Sequence, residues 1–214
     1  MNLFYNFGMV EIVKLKSKFM HGVMEQNTYV LLKDKFAVII DAGADLEDVK
    51  DVIGKRKVLG VLMTHLHFDH FWYVDNYLEE FDTEVFVVEG YENKFSDAVL
   101  NGSYLIRQSV EKNISKKRIK YYAKNLKLEN FDIEVFNTPG HCEDCVSLLI
   151  EKNLFTGDTI FSDCIGRIDL KDSSKDQMIE SLEKIKEIDF ETAFPGHYES
   201  ATKQEILKTI GFYL

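Results

Sequence analysis

The sequence predicts an α+β fold in which two β-sheets lie face to face with helices outside them. Apolar, β-branched runs come in two blocks, each followed by helical patterns, and sheets with amphipathic helices bury their apolar faces most economically in that layering. No Pro-, Gly- or Ser-rich linker, repeat or low-complexity tract divides the 214 residues. One domain spanning 1–214 is therefore expected.

Taken in order, residues 10–16 and 28–32 read as strands, and 36–40 as a hairpin partner across the polar turn Lys33-Asp34-Lys35. Asp45, with Asp48 three residues on, opens a helix whose stripe is Leu46, Val49, Val52 and Ile53. A strand at 58–63 runs into a His-rich loop, and a helix is expected to start within 71–78. Residues 83–88 form another strand. The polar, Lys-rich stretch 91–125 reads as helix and loop over the body. Phe131, Ile133 and Val135 alternate, so 131–137 is a half-buried strand. Strands at 146–150 and 154–156 share the turn Glu151-Lys152-Asn153. Ser174 caps a helix bearing Met178, Leu182, Ile185 and Ile188. Thr192-Ala193-Phe194 is a last strand, and Thr202 with Glu205 caps the final helix.

Composition limits the function classes. The net charge is −10 and the densest basic run is Lys116-Lys117-Arg118, so no nucleic-acid or membrane-surface partner is expected. No stretch has the length and apolarity of a membrane span. The first eight residues lack the pattern of a signal peptide, and Met9 is an alternative start. Three cysteines, Cys142, Cys145 and Cys164, are too few for a disulfide framework. Reduced thiols and a cytoplasmic location are expected.

The chain is organised around Thr64-His65-Leu66-His67-Phe68-Asp69-His70. Histidines two apart diverge on a helix but share a side on extended backbone, so His65 and His67 belong where a buried strand becomes a loop. Two further histidines follow strand and Pro-Gly, in Thr138-Pro139-Gly140-His141 and Phe194-Pro195-Gly196-His197. Between them a strand ends in Gly157-Asp158. Pro-Gly turns sharply and presents the next side chain at its tip. Imidazole and carboxylate donors suit Zn, Fe or Mn. Seven such residues are too many for one tetrahedral ion but suit two ions sharing a bridge, which make hydroxide available at neutral pH.

This ordered set, His-x-His-x-Asp-His, Pro-Gly-His, Gly-Asp and Pro-Gly-His, resembles the metallo-β-lactamase superfamily from about residue 10 to 210. The resemblance implies an αββα four-layer sandwich of two mixed sheets with helices on the outer faces and metals at one edge. It implies His65, His67 and His141 on one ion, Asp69, His70 and His197 on the second, and Asp158 bridging. Asp69 and Asp158 are then the catalytic carboxylates. Two divalent ions are implied, zinc first, with iron or manganese as alternatives.

Thr156-Gly157-Asp158-Thr159-Ile160-Phe161, with Ile165-Gly166-Arg167-Ile168-Asp169, is similar to the glyoxalase II (hydroxyacylglutathione hydrolase) branch. Asn27-Thr28-Tyr29 matches the Asn-x-Tyr of an early strand. Asp158 stands where the commonest β-lactamases of the superfamily carry cysteine, and His67 where flavodiiron proteins carry glutamate; both speak against those activities. The helical extension with which glyoxalase II holds glutathione has no counterpart here after His197. The implied activity is hydrolysis of a small-molecule thioester or related ester by a metal-bridging hydroxide, and a homo-oligomer is compatible with it. The alternative is a persulfide dioxygenase with one iron on His65, His141 and Asp158; nucleic-acid processing and a non-enzymatic metal module rank lower.

Arg167 is a candidate for a substrate carboxylate, or for a structural pair with Asp163 or Asp169. Tyr198 either reaches the substrate or packs in its loop. Cys142-x-x-Cys145 and Cys164 lie near the metal loops, as a redox pair, an extra thiolate ligand or small packing residues. His21 lacks a motif.

Overall fold

The structure is a computed structural model that describes residues 9–18 and 25–214. His21 and the first eight residues lie outside that range. One sheet runs in chain order, β1 (Glu11–Lys16), β2 (Asn27–Lys33), β3 (Phe36–Ile40), β4 (Lys57–Leu62), β5 (Val85–Val87) and β6 (Ile119–Tyr121). The other contains β7 (Asn125–Leu128), β8 (Phe131–Asn137), β9 (Val146–Ile150), β10 (Asn153–Gly157), β11 (Thr192–Pro195) and β12 (Ala201–Thr202), again side by side in chain order. Both sheets are mixed. β1 to β3 pair antiparallel and β3 to β6 parallel, while β10 and β11 are the one parallel pair of the second sheet.

Strand alternation decides the layering. Val30, Leu32, Ala37 and Ile39 turn outward onto α1 (Leu46–Ile53) and α2 (Val74–Glu80), where Val49, Ile53, Val74 and Tyr77 meet them. Their neighbours Tyr29, Leu31, Val38 and Ile40 turn inward onto Phe131, Ile133, Val135, Leu148 and Phe155 of the second sheet. That sheet's other face, with Leu149, Leu154 and Ala193, is covered by α3 (Lys175–Glu187) and α4 (Lys203–Ile210). The result is the expected αββα sandwich, with three apolar layers.

Local expectations hold at the C-terminal helices. Ser174 accepts a hydrogen bond from the Gln177 amide, and Thr202 with Glu205 forms both halves of a capping box. Asp45 occupies the N-cap of α1, but its side chain makes no cap bond. The helix after the His-rich loop begins at Val74, within the expected stretch, and the Ala42 amide donates to the His70 carbonyl and the Tyr73 amide to the Ala42 carbonyl, fastening 70–73 to the end of β3. The 91–125 stretch contains no α-helix. It consists of three short 3₁₀ turns and the edge strand β6, its aromatics too irregularly spaced to line one helical face. No described helix is long and apolar enough to cross a membrane.

Candidate metal centre

The seven expected residues meet at one edge of the inter-sheet seam. His65, His67, Asp69 and His70 come from the loop after β4; His141, Asp158 and His197 come from the turns after β8, β10 and β11. His67 Nδ1 lies 3.1 Å from His65 Nε2 and 2.9 Å from His141 Nε2. His197 Nε2 stands 3.2 Å from an Asp69 oxygen and 3.4 Å from Asp158. Asp158 is also 3.3 Å from His70 Nε2 and 3.7 Å from His141 Nε2, so it faces both groups. All seven are buried.

Four of the five imidazoles are aimed by their other nitrogen, as is usual for metal-site histidines. His70 Nδ1 is 2.8 Å from Asp41 Oδ2, His141 Nδ1 is 2.9 Å from the Arg167 carbonyl, His197 Nδ1 is 2.9 Å from the Glu25 carbonyl, and His65 Nδ1 is 3.2 Å from Thr64 Oγ. Asp41 is fully buried with φ of 58° and also accepts the Thr64 amide and hydroxyl. One strained carboxylate thus pins both ends of the His-rich loop. Asp144 holds its middle, accepting the Leu66 amide on one oxygen and the buried Lys94 ammonium on the other, with Asp172 completing the pair. Asn27 donates to the Pro195 and Tyr198 carbonyls and Tyr29 to Pro195, so the Asn-x-Tyr strand clamps the His197 turn.

Sequence reasoning noticed the Asp41-Ala42-Gly43 strand end without giving it a role. It missed Asp144, Lys94 and Asp172, whose partners are far away in the chain.

Burial pushes the His65 and His67 imidazoles well below their usual value, and neighbouring histidines add to it. Burial acts likewise on His70 and His197, but facing carboxylates outweigh it: Asp41, Asp158 and Asp69 hold His70 well above the usual value, and Asp158 and Asp69 lift His197 to about 10. Burial alone would raise the Asp69 and Asp158 carboxyls, yet His70 and His197 keep both low.

These residues fit metal ions. His70 Nε2 and Asp158 Oδ1 are buried without any hydrogen-bond partner, an arrangement that costs free energy unless something else fills the gap. A Cβ on Gly196 would stand 2.3 Å from Asp158 Oδ1, so only glycine leaves that space open. His65, His141 and Asp158, and separately Asp69, His70 and His197, place their ligand atoms within 4.8 Å of one another.

The remaining candidates divide. Arg167 places Nε and an Nη on the two oxygens of Asp169 at 2.9 Å, the structural pair rather than an open fork. Tyr198 is exposed, adopts φ of 65° and stands edge-on to Phe161 at the mouth of the adjoining cavity. Cys142 and Cys145 are buried with sulfurs 3.0 Å apart, and Cys142 lies within 4.8 Å of the His65 and His67 donors. Cys164 is half-buried in the cavity wall.

A family model for the metallo-beta-lactamase superfamily matches residues 21–197, and the chain belongs to that superfamily. It is similar to YqgX of Bacillus subtilis, a probable metallo-hydrolase, with 29% identity over 168 residues that cover 75% of this chain and 78% of that protein. Among solved structures, the BLEG-1 B3 metallo-beta-lactamase matches with a TM-score of 0.85 and 28% identity, covering 95% of this chain and 99% of that one. TTHA1623 in a di-iron-bound form matches with a TM-score of 0.79 and 22% identity, covering 94% and 99%; at that identity the likeness is one of fold.

Proposed function

We propose that the protein is a metal-dependent hydrolase of a thioester or related ester, with a glyoxalase II-like site. The observation that supports this most is the convergence of imidazoles and carboxylates on two buried, unpartnered atoms, His70 Nε2 and Asp158 Oδ1. His65, His67 and His141 would hold one ion, Asp69, His70 and His197 the other, and Asp158 would face both. Two divalent ions held there, zinc before iron or manganese, would supply hydroxide at neutral pH and polarise an acyl oxygen.

The protein's own part is positioning. Asp69 stays ionised beside His197 and can accept a proton from a water or orient it. Asp41, the Arg167 and Glu25 carbonyls and Thr64 fix the rings so that little reorganisation accompanies reaction. The cavity beside Asp69 and Asp158, about 620 Å³, takes a small-molecule substrate.

The test is elemental analysis of protein purified without added metal, followed by assays on thioesters, oxyesters and a cephalosporin. Two ions per chain and thioester or ester turnover are expected. Cephalosporin turnover above that of any ester would overturn the reading. The grouping of His65, His141 and Asp158 favours one second reading, a mononuclear-iron persulfide dioxygenase. One iron per chain with oxygen uptake on glutathione persulfide would establish it instead.

A further inference from the structure

We infer that this site takes an uncharged substrate with an apolar acyl group, in preference to one carrying an anion on the acyl chain or on the thiol. The inference builds on the hydrolase reading and names its substrate class. The cavity that opens on His67, Asp69, His141, Asp158 and His197 is walled by Phe68, Leu105, Phe161, Ile165, Leu170 and Tyr198. An acyl chain lying against such a wall gains with each methylene removed from water.

The counterpart is charge. Among the described residues, the cavity's histidines belong to the candidate metal centre, and the lysine and arginine that line it are Lys16 and Arg167, each of which already has an acidic partner. Arg167 is gripped by both oxygens of Asp169. Lys16 lies 3.2 Å from Glu25 and 3.5 Å from Glu199. The segments 1–8 and 19–24 contain no Lys or Arg to add. An anionic tail brought to either cation therefore meets Asp169, or Glu25 with Glu199, at the same short range, and it approaches a chain of net charge −10.

The experiment compares matched thioesters of an uncharged thiol on the metal-loaded protein: acetyl, butanoyl and hexanoyl against succinoyl and adipoyl, whose chains end in carboxylate. The glutathione thioester of hexanoate tests the carrier. Expected is a kcat/KM for hexanoyl at least about tenfold above acetyl and adipoyl, little changed by added salt. Leu170→Lys, at the cavity wall, should narrow the gap between hexanoyl and adipoyl.

Preference for adipoyl, or for the glutathione carrier, with turnover falling as salt rises, would overturn the inference and leave the hydrolase reading standing. If no ester is hydrolysed, that reading fails, and binding of the matching methyl ketone isosteres decides this one separately. Tighter binding of the apolar ketone supports it; tighter or equal binding of the carboxylate-tailed ketone sinks it.

Discussion

Around His65, His67 and His141 three imidazoles face one another, whereas around His70 and His197 two imidazoles face Asp69 and Asp158. Burial is almost the same in the two groups, yet it leaves His65 and His67 depressed while the carboxylates lift His70 and His197. The difference is that neighbours, and not depth, set how readily these four histidines hold a proton. In the metal-free protein His65 and His67 present neutral nitrogens, whereas His70 and His197 have protons to give up before an ion can enter.

Asp158 is where the two groups join, so its removal is the strongest way to break the comparison. Asp158→Ala should lower kcat by about a thousandfold or more with the circular dichroism spectrum unchanged; near-normal turnover would remove it from the site. Gly196→Ala should cost about a hundredfold in activity, through a methyl forced against Asp158 Oδ1 and His70. Its elemental analysis should fall from about two ions per chain toward one.

The protonation difference can be sharpened by titration. Cobalt binding by the second group should tighten by up to roughly a hundredfold per pH unit between about 7 and 10, as His70 and His197 each release a proton, while the first group's affinity should rise less steeply. Visible absorption of each site measures this, and two parallel pH dependences would refute the contrast.

Stability of the metal-free protein should run the opposite way with pH. His197, raised from 6.5 to about 10 in the fold, contributes stability that is complete below about 6.5 and is lost as pH rises through about 10. Urea midpoints should therefore fall over that window in wild type and fall less in His197→Gln. The smallest effect is expected outside the ligands: Asp144→Ala, which leaves buried Lys94 with Asp172 alone and frees the Leu66 amide, should cost about 2 kcal/mol of stability and loosen the first group's metal more than the second's.

The sequence made the His-rich loop, the Pro-Gly-His turns and most of the fold visible for a local reason. His65 to His70 lie in one run, Pro-Gly-His occurs twice after a strand, and β8 alternates cleanly in burial at Phe131, Ile133 and Val135. The superfamily resemblance then joined the separate turns into one site. What escaped was short or distant. β6, β7 and β12 have three, four and two residues, too few for periodicity to register. The partnership of Lys94 with Asp144 and Asp172 joins residues 50 and 78 positions apart, and no spacing rule reaches so far. Arg167 was ambiguous because Asp169 and a substrate carboxylate offer the same chemistry.

The strands that frame the centre are also bonded to one another across the seam. The Asn27 amide donates to the Gly196 carbonyl at 2.7 Å and the Val146 amide to the Thr64 carbonyl at 2.8 Å, joining one sheet to the other beside the ligands. A sandwich fastened in this way cannot act as a pair of jaws: parting the sheets at that edge would break main-chain bonds and the adjoining core together. Whatever breathing admits a substrate and releases its products must therefore be confined to the lip of the cavity, near Leu105, Leu170 and Tyr198, while the floor keeps its shape throughout the cycle.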